Sequence, residues 1–372
     1  MKVGVITFHS AHNYGAALQA YALRTAIEKL GVYCEMIDYR PEIISRHYRL
    51  PDFRWSCNLR DNFRKLRYCL FSKKRCDLKY KKYEKFITKY LNLGPKRYKN
   101  CKDLLNNIPD YDIFVCGSDQ IWNPNMTGLD PVYFLSFVPK FKRKVAYSAS
   151  FGTSYIPKEY HKTFKKLLGN IEYLSVREEQ GKRIVNSLVE RGVEVVLDPT
   201  LLLDEEEWEK ISRPYSNLEG KKYILCYYIE NNKSLENISK KCSKIMGIPR
   251  VLINASNKDR FRGVIPVFDA SPAEFIKLFQ GASFVVTNSF HGVAFAINFR
   301  KPFFLDLLKG RFAFTNSRLT NIIENLNLST RLVSNLTTID RELLDMDFEE
   351  ITRKLKILKE KSLNFLNKSI CG

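Results

Sequence analysis

The sequence predicts an α/β protein of two doubly wound, Rossmann-like units that face each other across a cleft. Three observations carry that prediction. Short apolar runs alternate with longer amphipathic segments, the pattern of a mainly parallel sheet wrapped by helices. At 372 residues the chain is too long for one small core. The alternation also breaks over about 204–222, a polar stretch holding Pro214 and Gly220 that reads as a linker, and then restarts.

The first unit is expected over 1–205. It opens with the strand "VGVITF", the loop "HSAHNYG" and the helix "AALQAYALRTAIEKLG", which Gly31 would terminate. "VYCEMIDYR" is the next strand. Residues 46–103 read as a basic, mostly helical insertion. "DIFVCGSDQIWNP" and "KRKVAYSASFG" are each a strand followed by a polar loop, and "YLSVREEQG" and "VEVVLDPTLLL" supply two more strands. The second unit is expected over 221–345. "KYILCYYI", "RVLINAS", "SFVVTN" and "KPFFLD" are its strands, and "SLENISKKCSKIMG" and "SPAEFIKLFQG" are helices between them. Ser271, Pro272 and Glu274 make a good helix start: cap, first-turn proline and capping-box acid. The last segment, 346–372, reads as an amphipathic helix with no strand after it, expected to pack back on the first unit.

Composition narrows the function classes. The nine cysteines are scattered and form no C-x-x-C pair, which argues against a disulfide framework or a cysteine-built metal site and fits a reducing cytoplasm. Neither a secretory signal nor a spanning helix is expected, because the apolar run in "MKVGVITFHS" is short and no run of about 18 apolar residues occurs. The net charge of +21 is uneven: Arg60 to Lys102 holds 16 Lys/Arg against three acids, interleaved with aromatics. Such a stretch is either a solvated helical face or a surface for an anionic partner, with the inner membrane face the expected site of peripheral contact. Nucleic acid is disfavoured, since no nucleic-acid-binding motif accompanies the charge.

One stretch carries a chemical signal. "SFVVTNSFHGVAFAINF" runs from a buried strand into a buried helix through Asn288, Ser289, His291 and Gly292. Asn288 and Ser289 are N-cap residues, so the helix should begin near His291, with its free N–H groups and positive dipole end favouring an anion. Gly292 would let that anion approach closely.

Six stretches occur in order: "ITFHSAHNYGAALQAYAL", "DIFVCGSDQIWNP", "AYSASFG", "LSVREEQG", "VVLDPTLLL" and "VVTNSFHGVAFAINFRKPF". Together they closely resemble the polysaccharide pyruvyl transferase family, from residue 1 to about residue 335, while 42–105 carries no family signal. The resemblance implies a GT-B-like pairing of the two units. It implies phosphoenolpyruvate as donor, a co-substrate with no separate cofactor and no metal. The acceptor would be sugar hydroxyls of a cell-surface polysaccharide (capsule or exopolysaccharide) or its lipid-linked precursor, giving a pyruvyl ketal and phosphate. Some members carry an arginine two residues before this histidine. Here that residue is Ser289, so the donor's charge must be met elsewhere.

The candidate site follows. His291, near neutral pKa when unperturbed, is the expected acid–base catalyst, with base favoured at a helix N-terminus. Asp119 is the second catalytic candidate, a carboxylate after a strand that could bind sugar hydroxyls or orient a histidine. Donor binding falls to Arg177, a bidentate anion partner after a strand, to Asn288, Ser289 and Gly292, and to Lys309, Arg311 and Arg318. Arg311 is the preferred match to the family's donor-contacting cation. Acceptor binding falls to His9, His12, Asn13 and Tyr14 in the first strand-to-helix loop and to Gln120. Asp198 in "LDPT" reads as a turn former outside the site. The alternatives are a nucleotide-sugar glycosyltransferase of the same architecture and a non-enzymatic basic binding protein.

Overall fold

A computed structural model describes residues 1–45, 73–215, 218–230, 232–255, 263–336 and 338–372. Twelve strands form two all-parallel sheets among these residues. The first sheet holds β1 (Lys2–Ile6), β2 (Tyr33–Tyr39), β3 (Leu93–Tyr98), β4 (Ile113–Cys116), β5 (Arg143–Ala149), β6 (Tyr173–Val176) and β7 (Glu194–Val195), in the order 3-2-1-4-5-6-7. The second holds β8 (Ile224–Tyr227), β9 (Arg250–Ile253), β10 (Ile265–Val267), β11 (Phe284–Thr287) and β12 (Phe303–Leu305), in the order 10-9-8-11-12. Central strands such as β4, β8 and β11 are buried along their whole length, because helices cover both faces. Each sheet reverses its winding once, between β1 and β4 and between β8 and β11. Open α/β sheets bind ligands at such switch points, beyond the strand C-termini.

The two sheets share a continuous apolar core, so they are held as one body. The helix Tyr14–Glu28 lies at the junction, with all but two of its residues buried. Tyr14 donates its hydroxyl to Ala270 O at 2.9 Å and stacks on Phe275 at 4.4 Å between centroids. The capping box before the helix Pro272–Gly281 forms as the sequence predicts, Ser271 and Glu274 exchanging hydrogen bonds of 3.1 and 2.7 Å. The same Glu274 carboxylate takes Lys82 at 3.0 Å from the first unit.

Two stretches differ from the sequence reading. The polar linker contains the helix Glu205–Ile211, whose Trp208 is fully buried between Tyr21 and Phe295. One tryptophan and one isoleucine on a single face suffice to pin a helix that is otherwise acidic. The basic insertion is also partly scaffold. Residues 46–72 lie outside the described residues, Arg60 among them. The helix Lys73–Tyr90 that follows buries Tyr83, Phe86 and Ile87 in the core, and β3 is an edge strand of the sheet. Gly94 and Pro95 are tolerated there because an edge strand needs fewer ladder bonds.

The C-terminal helix Glu349–Cys371 packs on the first sheet. Leu197 N donates to Ser362 Oγ at 2.9 Å, and Arg143 donates to Ile370 O and Gly372 O at 3.1 and 2.7 Å. No described helix is long and apolar enough to cross a membrane.

Candidate active site

The two switch points face each other. The loop Phe8–Asn13 after β1 and the loop after β4 oppose the end of β8, the β11-to-helix loop and the segment after β12. They enclose a cavity of about 380 Å³, within the usual size range for small-molecule sites.

His291 lies in the first turn of the helix Phe290–Asn298, which begins because Ser289 Oγ accepts the Gly292 N–H at 3.3 Å. The residue lines the cavity and is 7% exposed. A methyl group built on Gly15 would fall 2.1 Å from His291 Nδ1, so the missing side chain of Gly15 makes room for the imidazole. The other ring nitrogen, Nε2, has no hydrogen-bond partner and lies 3.9 Å from Asp198 Oδ2. Burial pushes the imidazole pKa down to about 4. Asp198 and Asp119 oppose that shift, and Arg177 and Arg318 add to it. At neutral pH the ring is therefore uncharged, with a lone pair or proton free for chemistry.

Around it stands a compact charge cluster. Arg177, buried just after β6, donates to Ser118 Oγ at 2.5 Å, pairs with Asp198 at 3.0 Å and lies 5.3 Å above the Phe290 ring. Asp119 sits between the two arginines, 3.8 Å from Arg177 and 3.7 Å from Arg318. Its backbone adopts φ 71°, a left-handed conformation that aspartate adopts more readily than most residues. Burial would raise the Asp198 carboxyl, but Arg177, His291 and the Thr200 hydrogen bonds outweigh it and hold it below the usual range. Burial lowers the Arg318 guanidinium, with Arg177 adding to the effect. Arg177 Nε and Nη1 and Arg318 Nε are buried without hydrogen-bond partners. Each such orphan costs about 1–3 kcal/mol in a resting protein, and an anion in the cleft would satisfy several at once.

The structure sorts the residues singled out from sequence. His291, Asp119, Arg318, Gln120, Asn13, Asn288 and Ser289 line the cavity, and Arg177 backs it. Asn288 and Ser289 are already committed: Asn288 accepts from Ile229 N at 2.7 Å and donates to Glu230 O, while Ser289 caps its helix. Gln120 accepts from Asn123 at 2.8 Å, and Asn13 caps the helix Tyr14–Glu28. Gly292 does not meet the cavity. A methyl there would fall 2.2 Å from Thr287 Oγ1, so glycine serves close helix-to-strand packing rather than ligand approach. Tyr14 is interdomain core, and His9 is fully buried against Asp38 at 3.0 Å. His12 pairs with Glu84 at 2.9 Å in a neighbouring cavity. Lys309 is 65% exposed and lies 3.5 Å from Asp306. The backbone of Arg311 belongs to the short helix Gly310–Thr315, and its side chain lies outside the described residues.

Asp198 is the residue that sequence reasoning left out. Its Oδ1 does form the expected turn, accepting Thr200 N at 2.9 Å and Thr200 Oγ1 at 2.6 Å. Its Oδ2 faces Arg177 and His291. A carboxylate at a strand C-terminus beside the cleft was the available signal. Among the described residues, no group of three or more His, Cys, Asp or Glu side chains is arranged to hold a metal.

The fit of Gly15 to His291 gives a test that leaves the reacting groups unchanged. Gly15→Ala should displace the imidazole and cost about 1–3 kcal/mol of stability through overpacking. Turnover should fall on the order of 100-fold, as misplacing a catalytic group by about 1 Å does. Wild-type turnover in that variant would show that the imidazole position is not critical.

Among solved structures, the chain is similar to UDP-GlcNAc 2-epimerase from Neisseria meningitidis bound to UDP-GlcNAc, at 11% identity and a TM-score of 0.47, over 99% of this chain and 97% of that one. It is similar to the Methanocaldococcus jannaschii UDP-GlcNAc 2-epimerase at 14% identity and a TM-score of 0.40, over 82% and 83% of the two chains. The E. coli heptosyltransferase WaaC with ADP matches at 10% identity and a TM-score of 0.39, over 85% and 90%. No curated protein sequence matches the chain significantly. The model of one family, polysaccharide pyruvyl transferase, matches residues 13–305, a span that includes Asp119, Arg177, Asp198 and His291. The chain belongs to the polysaccharide pyruvyl transferase family.

Proposed function

We propose that this protein transfers the pyruvyl group of phosphoenolpyruvate to two hydroxyls of one sugar in a cell-surface polysaccharide or its lipid-linked precursor. The observation that carries the reading is the neutral, unpartnered His291 Nε2 among buried arginine N–H groups at the meeting of two switch points. Phosphoenolpyruvate brings a phosphate and a carboxylate close together, and Arg177 and Arg318 would meet them as bidentate donors.

The chemistry balances without a redox partner. One sugar hydroxyl adds to the central carbon of the enol, and the methylene carbon gains a proton to become methyl. The second hydroxyl then displaces phosphate at the same carbon, and its proton leaves with the phosphate. His291, uncharged at neutral pH, accepts a hydroxyl proton, and Asp119 orients the acceptor or the imidazole. The arginines stabilise charge on the departing phosphate, a contribution on the order of 3 kcal/mol per well-placed group. Cytoplasmic action, with the basic surface resting on an anionic membrane face, belongs to the same proposal.

The neutral imidazole has a measurable consequence. Its pKa of about 4 in the fold lies below the ordinary 6.5. As pH falls from about 6.5 toward 4, the unfolded chain takes up a proton here that the folded chain does not, so stability falls, by roughly 1.36 kcal/mol per pH unit at most. Replacing His291 with asparagine should flatten that part of the stability curve. An NMR titration midpoint near 6.5 for His291 would contradict the buried neutral state. Thermal shift tests the donor: phosphoenolpyruvate should raise the melting temperature and nucleoside diphosphates should not.

A further inference from the structure

A second cavity, of about 740 Å³, opens beside the first and is lined by the first unit alone. The two share a thin wall. Along the loop after β1, Phe8, Ala11 and Asn13 face the first cavity, while Ser10 and His12 face the second. Along 123–130, Asn123 and Asn125 face the first, and Thr127 and Asp130 the second.

The lining is built for hydroxyl groups. Glu84 accepts from Arg40 Nη1 at 2.9 and 3.1 Å and pairs with His12 Nε2 at 2.9 Å. Arg40 Nε and Arg97 Nε hold the two oxygens of Asp38 at 2.6 and 2.8 Å. These bonds fix planar, bidentate groups in place before any ligand arrives. Arg97 is 54% exposed, and its two terminal nitrogens carry no partner among the described residues. Tyr80 lies against the His12 ring at 4.5 Å, an aromatic edge at the cavity. Among the described lining residues, the cations Arg40, Arg97 and Lys99 stand beside the acids Glu42, Glu84 and Asp130. Interleaved carboxylate and guanidinium groups with an aromatic face suit an uncharged, hydroxyl-rich ligand.

We propose that this second cavity is the subsite that binds the sugar residues next to the one that reacts. The inference rests on the sugar-acceptor reading above and adds where the chain runs. His12, singled out from sequence as an acceptor ligand, acts here through its pair with Glu84, outside the reaction cavity. Arg97, exposed, and Tyr80, half-buried, are the contacts, and Arg40 and Asp38 are positioning residues behind them.

The test is equilibrium binding, without donor, of neutral oligosaccharides from monosaccharide to hexasaccharide. Affinity of the wild type should rise with length by about tenfold or more. Arg97→Ala should lose most of that gain with an unchanged melting temperature, since Asp38 keeps His9 and Arg40. Tyr80→Ala should lose it too, which guards against misfolding of one variant. Affinity independent of length in the wild type, or a gain that survives in both variants, overturns the proposal. A gain seen only with phosphate-bearing glycans overturns it in favour of an anion site. Failure of the pyruvyl-transfer reading shows differently: length-dependent binding stays intact while no ketal forms from phosphoenolpyruvate.

Discussion

Replacing His291 with alanine should lower turnover by at least about 100-fold while the protein stays folded. The imidazole is an uncharged acid–base group beside the charges of Arg177, Arg318, Asp119 and Asp198. In the proposed reaction, losing it would remove the proton acceptor but leave the arginine pair that would hold the donor. Donor affinity should therefore change little while kcat collapses. The helix start survives, because the cap is Ser289 and the close contact is Gly292 with Thr287, neither of which involves the imidazole. His291→Asn fills more of the site and serves as the check against a cavity effect. Near-wild-type kcat in both variants would remove His291 from the chemistry.

Arg177→Ala should have the largest effect on stability. The guanidinium is the ion-pair partner of a fully buried carboxylate, Asp198, at 3.0 Å. Breaking a buried pair from one side costs about 3–5 kcal/mol, because the remaining charge is left without compensation. Donor binding should weaken in the same variant. The two effects separate in the double variant. Adding Asp198→Asn removes the stranded charge and should recover much of the stability but none of the donor affinity. Recovery of both would mean that Arg177 matters only as scaffold. A single variant as stable as the wild type would mean that the pair contributes little.

The amphipathic helices and the apolar central strands were legible because each keeps its own period. "VGVITF" became β1 and "SFVV" the start of β11, and the cap at Ser271 formed as its residues dictate. Edge elements were not legible. β3, "LGPKRY", carries a glycine, a proline and two cations, and becomes a strand only because β2 offers it a ladder. The helix Glu205–Ile211 reads as linker because three glutamates open it, and Trp208 gains meaning only once Tyr21 and Phe295 surround it. At the site, His291, Asp119, Arg177 and Arg318 were visible as charged or polar residues after strands or in the next loop. Asp198 was not, since one of its oxygens does what a turn-forming aspartate does while the other faces the cleft. The sequence also could not distinguish a glycine that admits a ligand from Gly292, which admits its own Thr287.

If the donor is phosphoenolpyruvate, its carbon skeleton ends on a sugar. The direct measurement is to supply phosphoenolpyruvate labelled in its carbon skeleton, with a panel of lipid-linked and free glycans, and to follow label and phosphate together. Labelled pyruvyl mass should appear on the glycan in equal amount to the phosphate released, and both should be lost in His291→Ala. Release of nucleotide from a sugar nucleotide, with a glycosyl mass added and the labelled donor untouched, would contradict this reading.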